Sequence, residues 1–573
     1  MNKHAIRPIR SGIRRSIRAT LNTGLLASLV FMSSLRVTQA GSATWNLDPG
    51  SHYWNDPNNW TPATVPSGPN DTATFAASNQ AVIALTEGGF EVNGISFPSG
   101  ASAFAIHAYP HSWLNVSGTG ITNNSGIVQN FVAFGAGAGF IAFLNGASAG
   151  ELTVFTARAN TLANSIGGLI SFGDSSTAGN GTFYIEGGAV RGGYVPGKIL
   201  FSGTSTAGNA TFMTQGGKRP YKSAGYIQFR ESSSAGHGTF ITHGSAPSDF
   251  NSRASTGFGD TSSGGDAIFV SLGGALLGAF GGNTSFSSSS TAGNATLIAE
   301  PGVSHGGSVE FGDSADGGTA RVVLFGNGQL DISCHSSPGV TIGSIEKGGN
   351  VFLGSNNLTV GSNNLSTAFD GRIQDSDGFC GGSGGSLAKM GNGTLSLLSA
   401  NIYTGGTTIN EGALLVSNKT GSGTGSGAVA NNGGTLGGIG TISGPVTIGT
   451  TGTTGILAPG KGATPDTLTL QNTLTFDSLA NYNVDLNSSA ATSDQVIARG
   501  VTIKDGASIT IRDRDASTLT IGTIFTLISN TASTGIAGTF ANLPDTSTVT
   551  VGSNTFQANY KGGDGNDLTL TVQ

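Results

Sequence analysis

An aromatic residue recurs at Phe143, Phe172, Phe201, Phe229, Phe258, Phe286 and Phe311, in steps of 29, 29, 28, 29, 28 and 25 residues. Seven residues after each comes a glycine: Gly150, Gly179, Gly208, Gly236, Gly265, Gly293 and Gly318. Eleven after each comes an apolar residue: Val154, Phe183, Phe212, Phe240, Phe269, Leu297 and Val322. A fixed period of this length marks stacked units that bury a continuous core only together. Two places before the anchor the residue is usually β-branched, as in Ile141, Ile170, Ile199, Ile227 and Val309, so Ile-x-Phe presents both side chains on one strand face. That face is expected to point inward. The glycine ends a Ser/Thr-rich turn, such as Ser175-Ser176-Thr177-Ala178-Gly179, where it lets the chain corner with positive φ.

With 94 glycines among 573 residues, and Ser, Thr and Asn abundant, the chain favours strands and turns over helices. A helical-repeat solenoid would need apolar residues at helical spacing, and these are absent. The expectation is an all-β solenoid with one coil per period. Stacked at ~4.8 Å per coil, it would extend roughly 90 Å.

Residues 1–40 differ from the rest. Lys3, Arg7, Arg10, Arg14, Arg15 and Arg18 precede an apolar run from Leu21 to Met32, and Thr38-Gln39-Ala40 offers a cleavage site. This reads as an export signal peptide, and the general secretory route is preferred over the twin-arginine route that Arg14-Arg15 hints at. Without those residues the chain keeps 19 Lys and Arg against 32 Asp and Glu, a net charge of −13. Nucleic acid is therefore not an expected partner, and no further apolar run is long enough for a transmembrane helix. Only Cys334 and Cys380 are present; export permits one disulfide between them, and two separate buried thiols are the alternative.

Five regions follow: the signal (1–40); a cap (41–76) holding Trp45, Trp54 and Trp60; irregular early coils (77–135); the seven copies (136–330); and a changed pattern (331–573). An aromatic plug over the open end of a solenoid would shield unpaired strand groups, which is preferred to a sugar-stacking platform for these tryptophans.

Within the last region, LAKMGNGTLSLLSANIYTGGTTINEGALLV spans Leu387 to Val416. It resembles the autotransporter-associated β-strand repeat of bacterial secreted proteins. Lys389, Gly391, Gly393, Thr394, Leu395, Asn401, Tyr403, Gly405, Gly406, Thr407, Gly412 and Leu414 carry that resemblance. The resemblance implies a right-handed parallel β-helix, exported by a Gram-negative-type bacterium and displayed as a passenger. Self-exporting members end in a translocator barrel, whereas here repeats run almost to Gln573, so the expectation is that no such barrel is present and that self-transport does not carry over.

The position two after each anchor holds Asn145, Asp174, Gly203, Glu231, Asp260, Ser288 and Asp313. On adjacent coils Glu231 and Asp260 would stand about 5 Å apart, the separation of a retaining glycosidase pair, and a calcium site could arise from the same column. Gly203 and Ser288 interrupt that column, and turn positions favour Asp and Asn for conformational reasons, so solvated turn residues are the preferred reading. Gly562-Gly563-Asp564-Gly565-Asn566-Asp567-Leu568-Thr569-Leu570 fits a calcium-binding nonapeptide, with Asp564 and Asp567 as candidate ligands. Such sites form between successive copies and this copy stands alone, so a Gly/Asp-rich hairpin is preferred and no metal or cofactor is assigned. His107 and His111 flank Tyr109-Pro110, which reads as a surface turn without a third ligand. No Gly-x-Ser-x-Gly elbow or phosphate loop is recognisable.

These readings predict a secreted or cell-surface, non-enzymatic protein with a structural or adhesive role. Its repetitive Ser/Thr/Asn-rich faces would contact extracellular polysaccharide, matrix or another cell. The alternative is a polysaccharide-active enzyme using Glu231 and Asp260.

Overall fold

The structure, a computed structural model, describes residues 41–573 except 136, 138, 161–165, 189–195, 219–223, 247–251, 451, 463 and 516; the expected signal peptide lies outside the described residues. Ala40–Gln573 form one compact unit. It is a parallel β-solenoid, and no α-helix occurs among the described residues.

A single coil explains the copies. Strand Leu169–Phe172 buries Ile170 and Phe172 and turns Leu169 and Ser171 outward. The chain corners, makes a one-residue bridge at Thr177, corners again at Gly179, and enters Thr182–Ile185, which buries Phe183 and Ile185. A longer connection returns it to Lys198–Phe201, where Phe172 lies beside Phe201 in parallel register. One period is thus one coil, and sequence periodicity becomes spatial register.

The register produces two aromatic ladders inside the solenoid. Phe143, Phe172, Phe201, Phe229, Phe258, Phe286 and Phe311 stack in order with ring centroids 4.5 to 5.1 Å apart. Phe131, Phe155, Phe183, Phe212, Phe240 and Phe269 form the second ladder, at 4.6 to 4.8 Å. Edge-to-face contacts at 5.5 to 6.3 Å join the two. Such pairs stabilise by about 0.5–1.5 kcal/mol each beyond their buried area. Where threonine replaces the inward isoleucine, the core supplies a partner: Thr256 Oγ1 meets Thr242 Oγ1 at 3.2 Å, and Thr284 Oγ1 meets Ser271 Oγ at 3.1 Å. Pairing two hydroxyls avoids a buried unsatisfied group.

The first copy corrects the spacing read from sequence. The inward residue is Phe155 and not Val154, because Val154 aligns with Thr182 and Phe155 with Phe183. One extra residue, Leu152 at φ 50°, lies in that turn and shifts the following strand by one place. The stretch 77–135, expected to be irregular, contains the long strands Gly88–Phe97 and Ser112–Asn123, paired in parallel with a register shift between Val92 and Gly94.

At the start, Trp45, Trp54 and Trp60 are almost fully buried, with Trp45 and Trp54 each about 5 Å from Trp60, at 5.0 and 5.1 Å. Their indole N–H groups donate to the carbonyls of Gln80, Pro66 and Trp54 respectively. They are inward packing and present no platform to solvent. Strand Trp60–Thr61 runs antiparallel to Ala43–Trp45, so parallel stacking stops there.

Beyond the copies a third sheet of eight strands opens at Gly339–Ile342 and runs to Val501–Ile503. Cys334 and Cys380 form a disulfide with Cα atoms 5.2 Å apart, settling their pairing. It pins a glycine-rich loop that Asp331 and Ser333 also hold, through the N–H groups of Phe379 (2.7 Å) and Cys380 (3.0 Å). At the far end Ile524–Asn530, Asp567–Val572, Asn554–Gly562 and Thr548–Val551 pair antiparallel. The last strand is therefore part of an antiparallel closure, not another parallel coil.

Candidate functional site

The anchor-plus-two column is a column of left-handed turns. Asn145, Asp174, Gly203, Glu231, Asp260, Ser288 and Asp313 all have φ between 53° and 66°. In that conformation a side chain is tolerated at a cost, and glycine, Asn and Asp suit it best. The acids in it reach back one coil. Asp174 accepts from the backbone N–H of Asn145 at 2.9 Å, Glu231 from Gly203 at 2.7 Å, Asp260 from Glu231 at 3.0 Å, and Asp313 from Ser288 at 2.9 Å. Glu231 and Asp260 thus occupy adjacent coils and point the same way, each carboxylate engaged by the preceding turn.

A second column works within the coil. The hydroxyls of Ser148, Thr177, Thr206, Ser234, Ser263 and Thr291 each accept from the N–H of the glycine two residues on, all at 3.1 Å. That local bond fixes the positive-φ corner that the recurrent glycine provides.

Asp564 and Asp567 sit at the end of a hairpin between Asn554–Gly562 and Asp567–Val572. Asp564 is exposed, whereas Asp567 is buried and its Oδ1 accepts from Asn530 N–H at 2.8 Å. Burial pushes the Asp567 carboxyl above its usual range. Among the described residues no three His, Cys, Asp or Glu side chains converge as a metal site would require.

The two histidines separate. His111 is in a turn at φ 65°, but His107 belongs to strand Ala105–Ala108, correcting the turn expected for both. Its ring packs edge-on to Phe134 at 5.3 Å, and the Arg158 guanidinium covers the same phenylalanine at 4.6 Å. Burial, then Arg158, holds His107 below its ordinary pKa.

Several polar groups of the 387–416 segment turn inward. Lys389 is buried, with Nζ donating to the carbonyls of Met390 (2.6 Å), Gly391 (2.8 Å) and Glu411 (3.3 Å). Burial pulls its pKa down to about 8. Asn401 accepts from Ile373 N–H at 2.7 Å and donates to Gly423 at 2.6 Å, bridging the coils on either side. The buried Tyr403 hydroxyl meets Thr407 Oγ1 at 2.6 Å.

Two surface features were not singled out by sequence reasoning. Where connections shorten after the copies, a cavity of about 810 Å³ opens, lined by Lys347, Asp370, Arg372, Leu398 and Ser399 among others. The fourth tryptophan, Trp113, is 46% exposed on the outer face of the first sheet. Alternation in Trp113-Leu114-Asn115-Val116 was its signal, since Leu114 and Val116 are fully buried.

Comparison with known proteins gives three likenesses. Residues 387–416 match the passenger-associated-transport-repeat, the segment whose resemblance was read from sequence. An extracellular serine protease of Serratia marcescens is 31% identical over 165 residues, which is 28% of this chain and 14% of the relative's length. A crystal structure of the Haemophilus influenzae Hap adhesin aligns over 88% of this chain and 63% of its own, at 11% identity and a TM-score of 0.26.

Proposed function

We propose, proceeding from a parallel β-solenoid that carries a passenger-associated transport repeat, that this is a secreted or cell-surface protein without enzymatic activity. Its role is structural or adhesive. The partners are extracellular polysaccharide, matrix or another cell surface, met through many weak contacts along extended faces. The observation that supports this is the fate of the turn acids: each carboxylate accepts from the neighbouring coil's backbone, so the column serves the stacking of the fold. The name of the Serratia marcescens relative reports extracellular proteolysis for that protein, and the match covers too little of it to bring an activity here.

The test pairs binding with turnover. The full chain, applied to a glycan array and to immobilised matrix proteins, is expected to bind without releasing sugar. Sugar release that disappears in Glu231→Gln would replace this reading with a polysaccharide-active enzyme.

A further inference from the structure

The outer face of the first sheet carries a column on five consecutive coils that is apolar or aromatic at every position but one. Trp113 is paired in register with Phe140, Phe140 with Leu169, Leu169 with Lys198, and Lys198 with Tyr226. All five alternate with fully buried neighbours, so their side chains lie on the solvent side. The indole of Trp113 lies along the column over Gly89: a Cβ placed on that glycine would stand 1.9 Å from Cε2 and Nε1 of the ring. Gly89 is thus the gap that lets the indole lie down on the sheet, one face against backbone while the residue stays 46% exposed. At the other end Lys198 Nζ sits 4.8 Å from the centre of the Tyr226 ring, and exposed Arg230 directly follows the Tyr226–Phe229 strand.

Charge identifies the partner. Residues 158–253 contain eight Lys and Arg against four Asp and Glu, whereas the rest of 41–573 contains 11 against 28. The column itself contains no acid, and its part from Leu169 to Tyr226 falls within this net-basic portion of an otherwise acidic chain. A flat, half-exposed indole and a tyrosine offer apolar surface to the C–H face of a pyranose ring. Lys198 and Arg230 offer charge to a carboxylate. Neighbouring strands of a sheet stand about 4.8 Å apart, comparable to the length of one sugar residue in an extended chain.

We propose that the column from Trp113 to Tyr226, with Lys198 and Arg230, is a binding site for an acidic, uronate-type polysaccharide. This rests on the adhesive reading and names its ligand class and place.

The experiment uses the full chain, with polygalacturonate oligomers as probe and their methyl-esterified form as the uncharged control. Because Trp45, Trp54 and Trp60 are buried, acrylamide quenching of tryptophan fluorescence reports mainly on Trp113. The acidic oligomers are expected to protect it, with affinity falling as salt rises. Trp113→Ala is expected to weaken binding more than ~10-fold, as truncation of a central aromatic contact does, and Lys198→Gln by about threefold together with a smaller salt dependence. Trp113 packs on the outside, so an unchanged circular dichroism spectrum and melting temperature will show the fold intact. Equal affinity for the esterified form, or binding unaffected by Trp113→Ala, overturns the proposed column while leaving adhesion standing. Absence of binding to every glycan and matrix component tested overturns both.

Discussion

The copies and the region after them build the same solenoid by different means. Between 136 and 330 each coil repeats the last, and two ladders of phenylalanine fill the interior. After 331 the coil length varies: Thr407 pairs with Val429, 22 residues on, and Val429 with Val446, only 17 on. Phenylalanine gives way to Leu, Ile and Val, a third sheet appears, and charged groups enter the interior. Among the described residues every buried charged side chain, Lys389 and Asp494 included, lies outside the copies. Where coils are identical, stacking of like on like suffices. Where they differ, carbonyls and amides no longer fall opposite partners by repetition, and Lys389, Asn401 and a disulfide supply the fastening.

That contrast can be broken experimentally, with hydrogen exchange read region by region because stability in a repeat array is local. Phe201→Ala interrupts one ladder at its middle and should cost about 3–5 kcal/mol, with lost protection centred on the coils of Phe172 and Phe229. Cys334→Ser with Cys380→Ser should cost about 2–4 kcal/mol and loosen residues 331–385 while leaving the copies protected. Lys389→Met keeps the bulk but strands carbonyl groups, for about 1–3 kcal/mol confined to the 387–416 coils; a loss that spreads to the copies would refute the division of labour.

A pH scan sharpens the same contrast. Burial raises the Asp494 carboxyl to about 6 from 3.8. The folded state then keeps a proton that the unfolded chain has released, so terminal-region stability should fall as pH rises from about 4 to about 6. Asp494→Asn should remove that slope. The smallest effect belongs to the turn column: Glu231→Gly loses the carboxylate bond to Gly203 but relieves a side chain at φ 55°, two terms of about 1 kcal/mol that oppose each other. Thermal melting should therefore shift little, whereas Glu231→Val, which keeps the strain without the bond, should melt lower.

The tryptophan cap illustrates how far sequence reached and where it stopped. Three tryptophans near the start were legible as a plug, and they are buried; that the remaining one lies flat on Gly89 depended on a glycine one coil away. The turn acids were legible as turn residues by their spacing. Their reach to the preceding coil's N–H was not, since it depends on which way each side chain leaves a left-handed turn. A fixed count from Phe143 arrives at Val154 in place of Phe155, because one inserted residue in a turn is invisible to it.

The amino-acid sequence by itself determined the period, the anchor residues, the positive-φ corners and the inward strand face. In a solenoid each of these recurs once per coil, so a pattern along the chain is also a pattern in space. Only the tertiary structure decided the joining of Cys334 to Cys380, the inward turn of Lys389 and the outward column at Trp113. Each of these depends on what the adjacent, non-identical coil places alongside, and no spacing within one coil encodes its neighbour.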